Sequence, residues 1–173
     1  MTLMSKDEAK RAFLDSGCST FTMARENLPL YERYLALGID KETELSWRKE
    51  RFYEILNSPR QPSYWKRIDK LIELAQSIKQ IKFFHEIYIE LNKIQPTLED
   101  FERVIIAETL IGRLSVTERS GVIFMTYDLG DKQLSSKFVE LTSNLLAFET
   151  EENDLLVRID NAKKSLEDIV REL

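Results

Sequence analysis

Residues 145–160 read LLAFETEENDLLVRID, and this stretch decides how the carboxy-terminal part of the chain folds. Two apolar segments flank four acids, a threonine and an asparagine. The apolar positions around them are Leu134, Phe138, Leu141, Leu145, Phe148, Leu155, Ile159, Ala162, Leu166, Ile169 and Leu173. Every step is three or four residues, except that from Phe148 to Leu155, which is one whole heptad with Glu152 in the vacant position. A loop of arbitrary length would reset this phase, so the pattern favours one helix.

A continuous helix over residues 131–173 has about 42 residues and a length of about 63 Å. A compact chain of this size is about 40 Å across, so such a helix would project from it. The projecting part would have to pair with another helix, either in the same chain or in a second copy. The alternative is a break at Thr150–Asn153. A homodimer through 131–173 is therefore one predicted interaction.

The remainder of the 173 residues is also rich in helix formers and poor in breakers, with five glycines and four prolines. Segments 39–111 and 131–173 contain no glycine. We predict an all-α fold, an irregular bundle of about six or seven helices that ends in a long helix. The expected organisation is a single helical domain, with amino-terminal helices in 1–58, central helices in 63–130 and the long helix in 131–173.

Several helix starts are marked by residues that cap helices. Ser5, Asn27 and Asp40 each precede a helical pattern and can accept a hydrogen bond from a free backbone N–H group. A wide apolar stripe runs from Ser63 to about Ile94 and predicts the central helix. Thr97 with Asp100 resembles a capping box for the helix that follows.

Residues 116–128 have an ambiguous pattern. Ser115 and Glu118 form a predicted capping box for a helix that ends near Asp128, whereas VIFMTY (122–127) has the composition of a strand. No second strand is available to pair with it, so we predict a helix here.

The amino terminus has no apolar segment typical of a signal peptide, and the longest apolar runs have four residues, too few to span a bilayer. We therefore expect a cytoplasmic protein without a membrane segment. The net charge is −5 but unevenly distributed, because residues 47–93 carry ten bases and six acids, whereas 94–173 carry nine and sixteen. This asymmetry suggests either attraction within the fold or two different partners.

The residues that usually perform catalysis are scarce. His85 is the single histidine and Cys18 the single cysteine, and neither belongs to a recognisable metal or nucleophile motif. Glu108 lies in an apolar run, where it either is buried with a raised pKa or faces outward. We predict no metal, no cofactor and no enzymatic activity.

The richest concentration of unusual residues is the basic–aromatic region, residues 47–70. Aromatic rings among bases suit a protein interface or a nucleic acid, and they are equally typical of two helices whose rings meet in the core. The candidate interaction surface consists of Trp47, Arg48, Arg51, Arg60, Tyr64, Trp65, Lys66 and Arg67. We predict a non-catalytic, regulatory protein that binds another protein; the alternative is a nucleic-acid-associated transcriptional regulator that uses residues 47–70, although nucleic acid is the less expected partner.

Overall fold

The computed structural model describes residues 3–58, 64–112 and 120–173. Every regular element in these ranges is helical, with ten α-helices, one short 3₁₀ helix and no strand. The predicted all-α class is therefore confirmed. The predicted number of about six or seven helices is too low, because two long predicted helices are each divided and α2 falls where a loop was expected.

The chain forms two compact units, Met1–Asn57 and Ser58–Leu173. The first contains α1 (Lys6–Asp15), α2 (Thr20–Glu26), α3 (Leu28–Ala36) and α4 (Lys41–Leu56). The predicted caps are confirmed, because Ser5, Asn27 and Asp40 accept hydrogen bonds from the N–H groups of Glu8, Leu30 and Thr43. In this unit α1 packs against the other three helices around the buried ring of Phe13.

The second unit contains α5 (Tyr64–Ile78), α6 (Ile81–Ile94), the 3₁₀ helix Gln95–Thr97, α7 (Asp100–Ile111), α8 (Val122–Asp128), α9 (Lys132–Leu145) and α10 (Asn153–Glu172). Its central element is α7, which packs against α5, α8, α9 and α10. The predicted central helix 63–94 is instead two helices, because Lys79 adopts a left-handed conformation with φ 58° that ends α5. Residues 122–127 are helical, as predicted.

One helix cap differs from the expectation, and others cannot be compared. The start of α7 is capped by Glu99, which forms a capping box with Glu102, rather than by Thr97 with Asp100. The predicted caps Ser63, Ser115 and Glu118 lie outside the described residues.

The predicted continuous helix over 131–173 is wrong, because residues 146–152 separate α9 from α10. Most of the positions that were predicted to face inward nevertheless do so. Of the predicted apolar positions, only Phe148 and Leu173 are not buried. The nine buried positions are Leu134, Phe138, Leu141, Leu145, Leu155, Ile159, Ala162, Leu166 and Ile169. Both helices therefore direct the expected face into the unit, although the backbone between them turns.

Contacts from another helix account for this break. Arg103 on α7 donates hydrogen bonds to the carbonyl oxygens of Leu145 and Asn144, at 3.0 and 2.5 Å. These carbonyls belong to the last turn of α9, where oxygens lack partners within the helix. The guanidinium of Arg103 also lies 5.6 Å from the centre of the Phe148 ring. Arg103 thus satisfies the end of α9 and holds the first residues of the linker.

Candidate interaction surfaces

The basic–aromatic region is divided between the two units. Residues 47–56 lie in α4 of the first unit, and residues 64–70 lie in α5 of the second. Arg60 belongs to 59–63, outside the described residues. The eight predicted surface residues are therefore considered separately in each unit.

Trp47 and Arg48 contribute to the packing of the first unit. The Trp47 side chain is 5% exposed, and its ring centre lies 5.7 Å from that of Phe13. The guanidinium carbon of Arg48 lies 5.3 Å from the centre of the same Phe13 ring. Trp47 therefore belongs to the core of the first unit. From the sequence, its ring could have lain either in the core or at an interface.

Arg67 is also buried. It is 5% exposed and forms an ion pair of 2.7 Å with Glu90 of α6. Its surroundings are the interface between α5 and α6, so its charge is already neutralised within the unit. A partner could reach this guanidinium only after the two helices separated.

The remaining residues of the basic–aromatic region are more accessible. Arg51 lies 3.1 Å from Glu54 on the surface of α4. In the second unit Tyr64 is 37% exposed, Trp65 is half-buried, and the ammonium of Lys66 lies 5.6 Å from the Trp65 ring centre. Their role in an interaction remains a prediction.

The isolated residues considered for chemistry have ordinary partners. His85 is exposed, and its Nε2 lies 3.0 Å from a carboxylate oxygen of Asp131, which also caps α9. Glu108 faces outward and forms a bidentate ion pair with Arg158 of α10. Nε of Arg158 lies 3.2 Å from one carboxylate oxygen of Glu108. This hydrogen bond raises the pKa of Arg158.

A groove of about 630 Å³ lies beside Glu108, between α5 and α7. Asp69 and Glu73 add two further carboxylates to its lining, and the backbone of Gly112 and Gly121 closes one end. No group of three histidine, cysteine or carboxylate side chains in the described ranges is arranged to hold a metal ion.

A surface that the sequence did not single out lies on α3. Leu28 and Leu35 are 54% and 55% exposed and seven residues apart, so they share one face of the helix. Tyr34, about 100° around the helix from Leu35, is buried; it donates a hydrogen bond of 3.1 Å to Glu44, and burial raises its pKa. The adjacent α2, which packs against α3, exposes 74% of Phe21.

The missed signal was the distribution of apolar residues around α3. Residues 28–37 (LPLYERYLAL) carry apolar or aromatic side chains on every side of the helix. A short helix within a small unit can bury only one face, so some of these side chains had to remain exposed.

No protein-family model, curated protein or solved structure matches the chain. Among the described helices, none combines the length and apolar character that crossing a bilayer requires. Evidence on function therefore comes from the surfaces themselves. The exposed leucines of α3 form the α3 face, defined as Leu28 and Leu35.

Proposed function

We propose that the protein is a non-catalytic regulator that binds another protein through the α3 face. The observation that carries the proposal is the exposure of more than half of both leucines, on one side of a helix whose other side is packed. Exposed apolar side chains that share a helix face are typical of a protein interaction site. Their heptad spacing fits the seam of a partner helix, in which apolar side chains recur at the same interval.

The charge around this face is mixed. Arg33 lies 3.8 Å from Glu8 and remains 43% exposed, and Arg25 lies 3.6 Å from Glu26 with both side chains well exposed. Such pairs contribute little to stability, so they can exchange partners when another protein arrives. This arrangement favours an apolar partner surface with a polar rim over a uniformly charged partner such as nucleic acid.

Nucleic-acid binding through residues 47–70 has less support. It requires basic side chains that can reach phosphates and rings that can stack on bases. Arg67 is buried against Glu90, and Trp47 is buried against Phe13. The aromatic and basic groups that remain accessible in the described part of this region are fewer than the sequence suggested.

The proposal is tested by site-specific photo-crosslinking in the native host. A crosslinking amino acid at Leu35 should yield a discrete covalent complex with one partner protein, and Leu28→Glu should abolish it. Because Leu28 is exposed, this substitution should change the free energy of unfolding by no more than about 0.5 kcal/mol.

The matched control places the same crosslinker at Ile89, which is 52% exposed on α6 of the other unit. This position should not capture the same partner. The proposal is contradicted if Leu35 forms no complex, or if Leu35 and Ile89 give the same pattern of products.

A further inference from the structure

The linker between α9 and α10 keeps the sequence properties of a helix although it is not one. Segment 131–173 contains neither glycine nor proline, and the buried positions Leu145 and Leu155 stay in the phase expected for a single helix. Residues 146–152 therefore contain no residue that breaks a helix. Their observed conformation depends on other interactions.

Some of these interactions come from other parts of the second unit. Arg103 occupies the carbonyls of Leu145 and Asn144 and lies over the ring of Phe148. Within the linker, the Glu152 N–H donates to the Thr150 hydroxyl at 3.1 Å. The Thr150 contact replaces the hydrogen bond that the Glu152 N–H would make within a helix, so it exists only while the chain turns here, and the Arg103 contacts accompany the turn.

The acids of the linker also favour the turn. Glu151, Glu152 and Asp154 lie at the amino-terminal end of α10, where negative charge interacts favourably with the helix dipole. In a continuous helix that terminus would not exist, and the same carboxylates would only repel one another.

The α10 helix is a separable element of the unit. Five of its apolar side chains are buried: Leu155, Ile159, Ala162, Leu166 and Ile169. Its main neighbour is α7, to which Arg158 is joined by the ion pair with Glu108. All of these contacts could be made equally well by the α10 helix of another copy, because the two sequences are identical.

We propose that a second copy of the chain exchanges α10 with the first. In this dimer residues 146–152 become helical, α9 and α10 form one helix from Lys132 to Glu172, and each α10 packs against α7 of the other copy. Exchange of an identical element is a low-cost route to a dimer, since it retains the contacts of the monomer.

The dimensions fit this exchange. A straight helix over residues 132–172 is about 62 Å long. A compact unit of the size of Ser58–Leu173 has a radius of gyration of about 13 Å, hence a diameter of about 35 Å. The α10 part would extend beyond its own unit, where only another molecule could cover its apolar face.

The balance between the two forms depends on the linker. The dimer gains the backbone hydrogen bonds of the newly helical residues, and it loses the Arg103 contacts and the Thr150 turn. Substitutions that act on residues 146–153 should therefore shift the monomer–dimer equilibrium while leaving the apolar face of α10 unchanged.

The experiment measures this equilibrium by size-exclusion chromatography with light scattering. Thr150→Ala removes the hydroxyl acceptor and adds a better helix former, which should raise the dimerisation constant about tenfold because both chains contribute. Asn153→Pro should abolish the dimer. A proline is accepted at the first position of α10 but not inside a continuous helix.

Asn153→Ala is the matched control, because residue 153 is helical in both forms and alanine blocks neither of them. It should leave the equilibrium within a factor of two or so of the wild type. If Thr150→Ala combined with Arg103→Gln remains monomeric at the highest soluble concentration, the proposal is overturned.

Exchange itself is read from crosslinks between α7 and α10. Glu108→Cys and Arg158→Cys, in a Cys18→Ala background, place two thiols on side chains that contact each other. With a short bis-maleimide, the dimer fraction should give covalently linked pairs of chains on a reducing denaturing gel, and the monomer fraction should give single chains. A dimer fraction with crosslinks only within single chains would overturn the proposal in favour of an ordinary, unexchanged dimer.

Discussion

The Nη2 group of Arg103 donates a hydrogen bond of 2.5 Å to the carbonyl oxygen of Asn144. This contact links α7 to the last turn of α9 and gives the Asn144 oxygen a second hydrogen bond beside the one that it accepts from the Ala147 N–H at 3.2 Å. It connects the central helix of the second unit with the point at which the carboxy-terminal segment turns.

Replacement of Arg103 by Gln should remove both carbonyl contacts and the interaction with the Phe148 ring. We expect the free energy of unfolding to fall by about 1–3 kcal/mol, because two hydrogen bonds from a charged donor are lost, one of them partly buried. Denaturant unfolding checks this value. Arg171→Gln is the control, since its pair with Asp168 is well exposed and should matter little.

The two glycines that flank segment 113–119 should not tolerate a side chain. Gly112 has φ 67°, and a Cβ atom there would overlap the backbone carbonyl of Ser120. Gly112→Ala should therefore lower the free energy of unfolding by about 2–5 kcal/mol, because its backbone conformation (φ 67°, ψ −152°) is essentially restricted to glycine and a Cβ would also overlap Ser120.

Gly38→Ala is the comparison. Gly38 also has a positive φ, 62°, but no atom lies within 4 Å of the position of its Cβ. Its substitution should cost only the strain of a positive φ, about 1–2 kcal/mol, in a thermal unfolding experiment. Equal costs for the two substitutions would show that the glycine-restricted conformation of Gly112 and its close approach to Ser120 do not exist in solution.

Substitution of Arg67 should change the stability of the fold rather than the binding of a partner. Arg67→Met leaves the carboxylate of Glu90, whose side chain is 15% exposed, without this partner, and the loss should be close to the lower end of the cost for a buried pair, about 3 kcal/mol. Adding Glu90→Leu should recover most of this loss, because no uncompensated charge remains. The neighbouring exposed substitution Lys66→Met should change stability by about 0.5 kcal/mol or less.

The stability conferred by Asp131 should depend on pH. The hydrogen bond from the Leu134 N–H, together with that to His85, holds the pKa of Asp131 below its usual value of 3.8. A carboxyl group whose pKa is lower in the folded state stabilises the fold above its ordinary pKa, and this contribution is lost as the pH falls through the folded value.

Asp131→Asn provides the comparison, since asparagine also caps helices but does not titrate. The stability advantage of the wild type over this variant should shrink as the pH falls below about 4. Urea unfolding across this range checks the expectation. An advantage that does not change with pH would show that the carboxylate contributes only as a cap.

Local chemistry explains which parts of the fold were predictable. Ser5, Asn27 and Asp40 could be assigned as caps because a cap depends on the residue and on the three that follow. The buried positions of α9 and α10 were equally accessible, because helical phase is a property of the sequence itself. Local signals thus predicted the helical class and most of the inward-facing residues.

The breaks were not predictable from local sequence signals. Lys79 adopts φ 58° without being glycine, which its residue type does not indicate. The end of α9 is satisfied by Arg103, more than forty residues earlier in the chain. At the interaction surfaces, burial of Trp47 and Arg67 follows from tertiary packing, whereas the excess of apolar residues in α3 was visible but was not recognised.

The most direct test of the structure is the thermal unfolding of Asn153→Pro beside Asn153→Ala. If α10 begins at Asn153, proline occupies a first helical position, and Glu152 before it has the extended ψ of 114° that proline favours. The proline variant should then melt at or above the temperature of the alanine variant, with a gain of up to about 1 kcal/mol. At a concentration at which both variants are monomeric, a fall in stability of about 3 kcal/mol relative to alanine would show that residues 132–172 form one helix in the monomer and would contradict the account.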